Sequence, residues 1–269
     1  MVTPKDASIA SSMWTNDDIA IKYALAERVT APFAQIMVQK TSIANIEGEA
    51  NVLDFACGTG AVTAALYESL PKNKWNQVHV LGGDISESML GFLKKRAEHE
   101  RWTGVETDVV DGRDIKLIPS TYTHLFVNFA IFALPPGTLE SCVALLRPGG
   151  HIGISSWAYF PGWDIVRRAA ARLPEPPSVP SVEEIQRAIT GGRDWHSPAY
   201  VSSELRDAGI ESADVVVEKA KVDCGTPEQF CDTMVLAEMK KLVEEETGGG
   251  ERGFILEFEG IVATGRKLH

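Results

Sequence analysis

The chain has 269 residues, 44% of them hydrophobic and 23% charged, enough for the full core of one large domain or of one domain with an appended subdomain. Its formal net charge of −11 argues against a general binder of nucleic acid or of anionic membrane, because phosphate contacts need clustered Lys and Arg. No apolar stretch approaches the ~18 residues of a membrane span, no signal-peptide pattern opens the chain, and Cys57, Cys142, Cys224 and Cys231 lack metal-ligand spacing, so reduced thiols in a cytoplasmic, metal-free protein are expected.

The first predicted element is a helical leader over residues 16–43, with apolar faces from Ile19, Ile21, Tyr23, Ala24, Val29, Phe33, Ile36 and Val38. Strands are then expected at 50–55, 77–83, 105–110, 124–129 and 151–157, alternating with helices at 61–70, 87–100 and 139–145. The second of these helices carries Lys94-Lys95-Arg96 beside Glu98 and Glu100, which reads as a solvated face. Alternation of this kind means a parallel sheet with crossover helices on both faces. Residues 158–212 break the rhythm. "LPEPPSVP" forbids a helix, a short helix follows at 181–189, and another at 202–208 ends on Gly209 as its C′ residue. Chain inserted here is expected above the carboxyl edge of the sheet, covering a ligand. Two last strands, 213–222 and 254–265, flank a helix whose Thr226, Pro227 and Gln229 match a capping box with Pro at N1. The divisions expected are a leader (1–45), a cofactor-binding core (46–157), a lid (158–212) and C-terminal strands with an inserted helix (213–269), all within one domain.

The stretch "VLDFACGTGA" places Asp54 near the end of the first strand and a bare turn, Ala56, Cys57, Gly58 and Gly60, after it. A dinucleotide fold uses such a turn as GxGxxG, but here the third glycine is missing and no Tyr-x-x-x-Lys or hydride-transfer set is evident. No Lys-Ser/Thr follows, which excludes a P-loop. The pattern D-x-A-x-G-x-G instead resembles motif I of class I S-adenosylmethionine-dependent methyltransferases, with Ala56 where the family usually has glycine. Asp54 then either orients the turn or accepts from the donor's ammonium group, and bare backbone lets the donor approach.

Further matches follow in order. "LGGDIS" ends the second strand on Asp84, placed to accept from both ribose hydroxyls, with Ile85 against the adenine and Met89 one turn on. Substituting Asp84 by Ala is expected to cost donor affinity with little loss of stability. "VVDGRDI" supplies Asp111 for the adenine amino group and Gly112 for the ring's approach, and "LLRPGGHIGISSWA" resembles the turn into the family's fifth strand. "VNFAIFAL" ends the fourth strand, placing Asn128 and Phe129 near the methyl. Phe129, Phe132, Trp157 and Trp163 would wall the acceptor site, with core packing the favoured reading for Phe132. No general base is evident: His124 and His151 open strands, and His196 lies in the insertion. An acceptor needing little base, such as a thiol of pKa ~8.5, suits that absence; a phenol or amine served by Asp or Glu of the lid stays open.

Beyond these motifs, "DIAIKYALAERVTAPFAQIMV", "SESMLGFLKKR", "THLFVNFA", "SSWA", "YVSSELRDAGI" and "VATG" look similar to fungal small-molecule methyltransferases of secondary metabolism, especially thiomethyltransferases acting on gliotoxin-like dithiols. The resemblance implies a Rossmann-like α/β fold with a seven-stranded, mostly parallel sheet, one antiparallel edge strand, a helical leader and helical lid insertions. It implies S-adenosylmethionine as donor, S-adenosylhomocysteine as product, Tyr23 at the donor's carboxylate end, and Met13-Trp14 closing the pocket mouth over a small-molecule acceptor. O- or N-methylation is the nearer alternative. An NAD-dependent oxidoreductase, or a protein that binds the donor without transferring its methyl, is the more distant one. Oligomeric state stays open.

Overall fold

The computed structural model describes residues 17–173, 175, 178–233, 240–248 and 253–269, with side chains from residue 26 onward except at 232, 233, 242 and 246. The leader forms α1 (Asp17–Lys40). The alternating region gives β1 (Ala50–Phe55), α2 (Ala61–Ser69), β2 (Val78–Asp84), α3 (Glu87–Glu100), β3 (Val105–Val109), β4 (Tyr122–Val127), α4 (Thr138–Leu145) and β5 (Leu146–Tyr159). Then come α5 (Gly162–Ala170), α6 (Val182–Ile189), α7 (Pro198–Asp207), β6 (Ala213–Asp223), α8 (Pro227–Thr233), α9 (Lys240–Thr247) and β7 (Ile255–Arg266).

The seven strands lie in one sheet, in the order β3-β2-β1-β4-β5-β7-β6. β1 pairs in parallel with β2 and β4, and β4 with β5, whereas β7 is antiparallel to both β5 and β6. The expected antiparallel strand is therefore β7, one position in from the edge. Every residue of β4 is buried, as is all of β1 but Asn51, so these central strands read as continuous apolar runs because helices cover both faces. One core joins α1 and α2 to the sheet through Phe33, Met37, Leu66, Tyr67 and Phe126; the other is built around Leu53, Leu125, Cys142, Trp195 and Leu205.

Three differences from the expected elements have physical causes. β5 starts at Leu146 and takes in Pro148-Gly149-Gly150: Gly149 adopts φ +78°, and a Cβ on Gly150 would lie 2.9 Å from the Arg147 carbonyl, so the glycines admit a bulge rather than end the strand. α5 adds a helix to the expected elements: Pro161 and Gly162 open it, where a missing N–H costs nothing. α7 begins earlier than expected, with Pro198 in its first turn and the Ser197 side chain accepting from the Tyr200 N–H. Its end is as expected: Gly209 has φ +97° and the Ile210 N–H reaches the Leu205 carbonyl (2.8 Å), a Schellman closure.

The segment expected as one lid divides. Trp195, Val201 and Leu205 are buried in the second core, which makes α7 a crossover helix on the sheet. α5 instead joins α8 and α9 in a small cluster of Ile165, Phe230, Cys231 and Val243. The Thr226 capping box forms, with Gln229 N–H donating to Thr226 Oγ1 (3.3 Å) and Thr226 N–H to Gln229 Oε1 (3.1 Å). Its helix is described as α8 and α9; residues 234–239 between them lie outside the described set.

Candidate active site

At the carboxyl end of β1 the chain makes a turn with three left-handed residues in five: Ala56 (φ +54°), Gly58 (+52°) and Gly60 (+90°). Ala56 is strained there, since L-residues pay for this region through their Cβ. Asp54 is 1% exposed and faces the start of α2. Its Oδ2 accepts from the Thr63 N–H (3.1 Å) and hydroxyl (2.7 Å), so of its two expected roles the geometry gives the first, orienting the turn. Burial pushes its pKa up to about 7 against the pull of the Thr63 hydrogen bonds, with Asp84 and Glu27 adding repulsion.

The bareness of Gly60 has a cause the sequence reading missed. A Cβ there would lie 2.5 Å from Leu93 Cδ1 of α3, and one on Gly82 would lie 2.5 Å from Leu93 Cδ2. Leu93 is fully buried between the two glycines, so the missing side chain of Gly60 makes room for α3. Cys57 belongs to the same packing: its side chain clusters with Leu90 and Leu93, and burial raises its thiol pKa well above the usual range.

Asp84 ends β2 half-buried. Its Oδ2 accepts from the Gly58 N–H (2.9 Å) and its Oδ1 from the Ser86 N–H (3.0 Å), which ties the second strand to the turn of the first. Burial raises its pKa, opposed by these backbone donors. Each carboxylate oxygen keeps a lone pair for a further donor, which fits a pair of sugar hydroxyls. The carboxylate is thus part of the loop's structure, and Asp84→Ala is expected to cost stability through these two bonds as well as donor affinity. Ile85 is half-exposed beside it, whereas Met89 is only 2% exposed and packs inward.

Asp111 is partly exposed and bonded to its neighbour Arg113, whose Nε (2.9 and 3.0 Å), Nη2 (2.6 Å) and backbone N–H (2.9 Å) hold its carboxyl below the usual range. An adenine amino group would have to share that carboxylate with Arg113. A Cβ on Gly112 would lie 3.4 Å from Leu134 and Pro135, about van der Waals contact, and the Gly112 carbonyl accepts from the Thr138 hydroxyl (3.2 Å).

Past the end of β4, Asn128 Oδ1 accepts from the Ser155 hydroxyl (2.7 Å), and Ser155 Oγ accepts from the Phe129 N–H (2.9 Å). That bond holds Phe129 at φ +50°, a left-handed conformation rare for an aromatic residue. Phe129 stacks on Trp157 at 3.9 Å, and Phe33 of α1 meets both edge-on at 5.3 and 6.1 Å. Phe160 and Phe258 extend this wall from Trp157, and Trp163 packs on Phe160. Phe33, Phe160 and Phe258 were not among the sequence candidates; the chain shows no local pattern that brings α1, β5 and β7 together. Phe132 packs against both cores, and its carbonyl accepts from Arg193 (3.0 Å). Just beyond the wall the Tyr159 hydroxyl donates to Asp164, raising the phenol pKa to about 12.

His124 and His151 stack on each other at 5.3 Å, within β4 and β5 rather than at their ends. Burial lowers the pKa of both, that of His124 to about 3. Tyr23 lies in α1 by its backbone, its side chain outside the described set, as Met13 and Trp14 are entirely.

A family model described as a methyltransferase domain matches residues 52–150, the stretch from β1 to the glycine pair of β5. The chain is 30% identical over 213 residues to the acetylaranotin bis-thiomethyltransferase of Aspergillus terreus, across 78% of this chain and 73% of that protein. It is 28% identical over 204 residues to the methyltransferase tpcH of Aspergillus fumigatus, across 74% and 72%. Among solved structures, phosphoethanolamine N-methyltransferase 2 of Haemonchus contortus, in complex with phosphomonomethylethanolamine and S-adenosylhomocysteine, shares the fold. Its TM-score is 0.54 at 13% identity, over 87% of this chain and 52% of that one.

Proposed function

The chain belongs to the class I S-adenosylmethionine-dependent methyltransferases, and from that premise we propose that it methylates a thiol of a small molecule. The bound donor supplies a methyl already activated on a sulfonium. The protein's part is then chiefly to align an acceptor at ~3–3.5 Å. In this reading Asp84 accepts from the ribose hydroxyls, Ile85 and Gly112 flank the adenine, Asp111 receives its amino group alongside Arg113, and Tyr23 meets the donor's carboxylate end. Asn128, locked by Ser155, lies near the methyl, and Phe33, Phe129, Trp157 and Phe160 exclude water from it.

The observation that carries the thiol is the chemistry of that wall. Among the described residues it is aromatic, and the polar pair next to it, Asn128 and Ser155, is neutral and internally bonded. A thiol of pKa ~8.5 has a useful thiolate fraction near neutral pH without a base, whereas a phenol of pKa ~10 has far less. The relation to an enzyme named as a bis-thiomethyltransferase points the same way. One observation favours an oxygen acceptor instead: Tyr159 and Asp164 form a proton-holding pair beside the wall. The spacing of Cys57, Cys142, Cys224 and Cys231, three of them buried, accords with a cytoplasmic setting.

The test is mass spectrometry of the protein with S-adenosylmethionine and panels of dithiols, phenols and amines. S-methylated product is expected. Methylated phenols with every thiol inert would overturn the thiol assignment.

A further inference from the structure

The glycine turn carries one bond of its own, from the Gly60 N–H to the Cys57 carbonyl (2.9 Å), with three of its five residues in a left-handed conformation. Side chains from three other elements hold it. Asp84 takes the Gly58 N–H. Arg96 of α3 donates to the Thr59 carbonyl (3.3 Å). Glu27 of α1 accepts from the Thr59 hydroxyl (2.5 Å) and from Arg96 Nη1 at both oxygens (2.8 and 3.0 Å). Thr59 is 1% exposed and the Glu27 side chain 12%, so little water competes for these bonds, while Arg96 also lies over the Trp102 ring at 5.6 Å.

We propose that Glu27 is a positioning residue for the methyl donor: through Thr59 and Arg96 it fixes the turn on which the donor lies. The residue belongs to no glycine motif, and its spacing from the turn, 32 positions upstream of Thr59, gives no sign of the contact. A carboxylate placed there adds to the repulsion felt by Asp54. It is nevertheless bonded at both oxygens to the two groups that bracket the turn, the Thr59 hydroxyl and the cation that holds the Thr59 carbonyl. Loosening them lets residues 57–60 sample other conformations, and the donor then has to select the competent one.

The inference rests on the donor-binding reading above. Its test is calorimetry with S-adenosylhomocysteine on wild type, Glu27→Gln, Thr59→Val and the double variant, with kcat and thermal denaturation alongside. Each single change should weaken binding about tenfold, the scale of one hydrogen bond to a charged group. The double variant should lose clearly less than the product of the two single losses, since both changes break the Thr59–Glu27 bond. The acceptor KM should hold, and kcat at saturating donor should fall by less than the affinity does. Donor affinity unchanged in either folded variant, or losses that multiply, would overturn the role. Thr59→Val carries the test if Glu27→Gln does not fold. A wild type that binds no S-adenosylhomocysteine removes the donor reading itself, a result distinct from a wild type that binds and variants that bind equally.

Discussion

Asp84→Asn should weaken donor binding by about 30- to 700-fold while leaving the protein folded. Two ribose hydroxyls donating to one carboxylate contribute about 1.5–3 kcal/mol each, because the acceptor is charged. Asparagine keeps the shape and one acceptor oxygen but loses the charge, so about 2–4 kcal/mol of that is lost, at 1.4 kcal/mol per tenfold. The same substitution also disturbs the loop. Asp84 receives the Gly58 and Ser86 N–H groups at 2.9 and 3.0 Å, and the amide can serve one of them but not both. With the residue half-exposed, that costs about 1–2 kcal/mol of stability. Alanine loses both bonds and is the poorer probe. The assay is calorimetric titration with S-adenosylhomocysteine at a temperature well below unfolding, with a thermal melt on each protein. A folded Asp84→Asn protein that binds within threefold of wild type would refute the ribose role.

Gly60→Ala should destabilise by at least about 2 kcal/mol, since φ +90° and a Cβ 2.5 Å from Leu93 both oppose it; an equal loss in a Leu93→Ala background would show that Leu93 is not the obstacle. Ala56→Gly should leave stability unchanged or raise it by up to about 1 kcal/mol, because relief of the left-handed strain at φ +54° exceeds the entropy glycine adds to the unfolded chain; a melting temperature lowered by several degrees would contradict this. Asp54 is raised from 3.8 to about 7, so between those values the folded state binds more protons than the unfolded. Its contribution to stability is therefore full below pH 3.8 and lost as pH rises through 7. Asp54→Asn should flatten that part of the stability profile in denaturant titrations, and an unchanged slope would place the proton elsewhere. Trp157→Leu should raise the acceptor KM while donor affinity stays within twofold; the reverse pattern would move the wall to the donor side.

The alternating strands and helices were legible because each central strand is a run of apolar residues and each crossover helix carries its own stops. The positions of three candidate acids were legible for a related reason: Asp54 and Asp84 lie in the last residues of β1 and β2 and Asp111 just past β3, where the strand ends fix the turns. What escaped the sequence depends on contacts between distant elements. Leu93 explains Gly60, which looks from sequence like ligand space, and Gly82 with it. Glu27 and Arg96 meet across 69 positions. Phe33, Phe160 and Phe258 join the aromatic wall only because α1 crosses the sheet and β7 inserts between β5 and β6.

The most direct measurement is a crystal structure of the protein soaked with S-adenosylhomocysteine. The account predicts density along the carboxyl ends of β1 and β2, with both ribose oxygens within hydrogen-bonding distance of the Asp84 carboxylate and the sulfur facing Asn128 and Phe129. Density at any other place, or an Asp84 carboxylate still bonded to the Gly58 and Ser86 N–H groups alone, would contradict it.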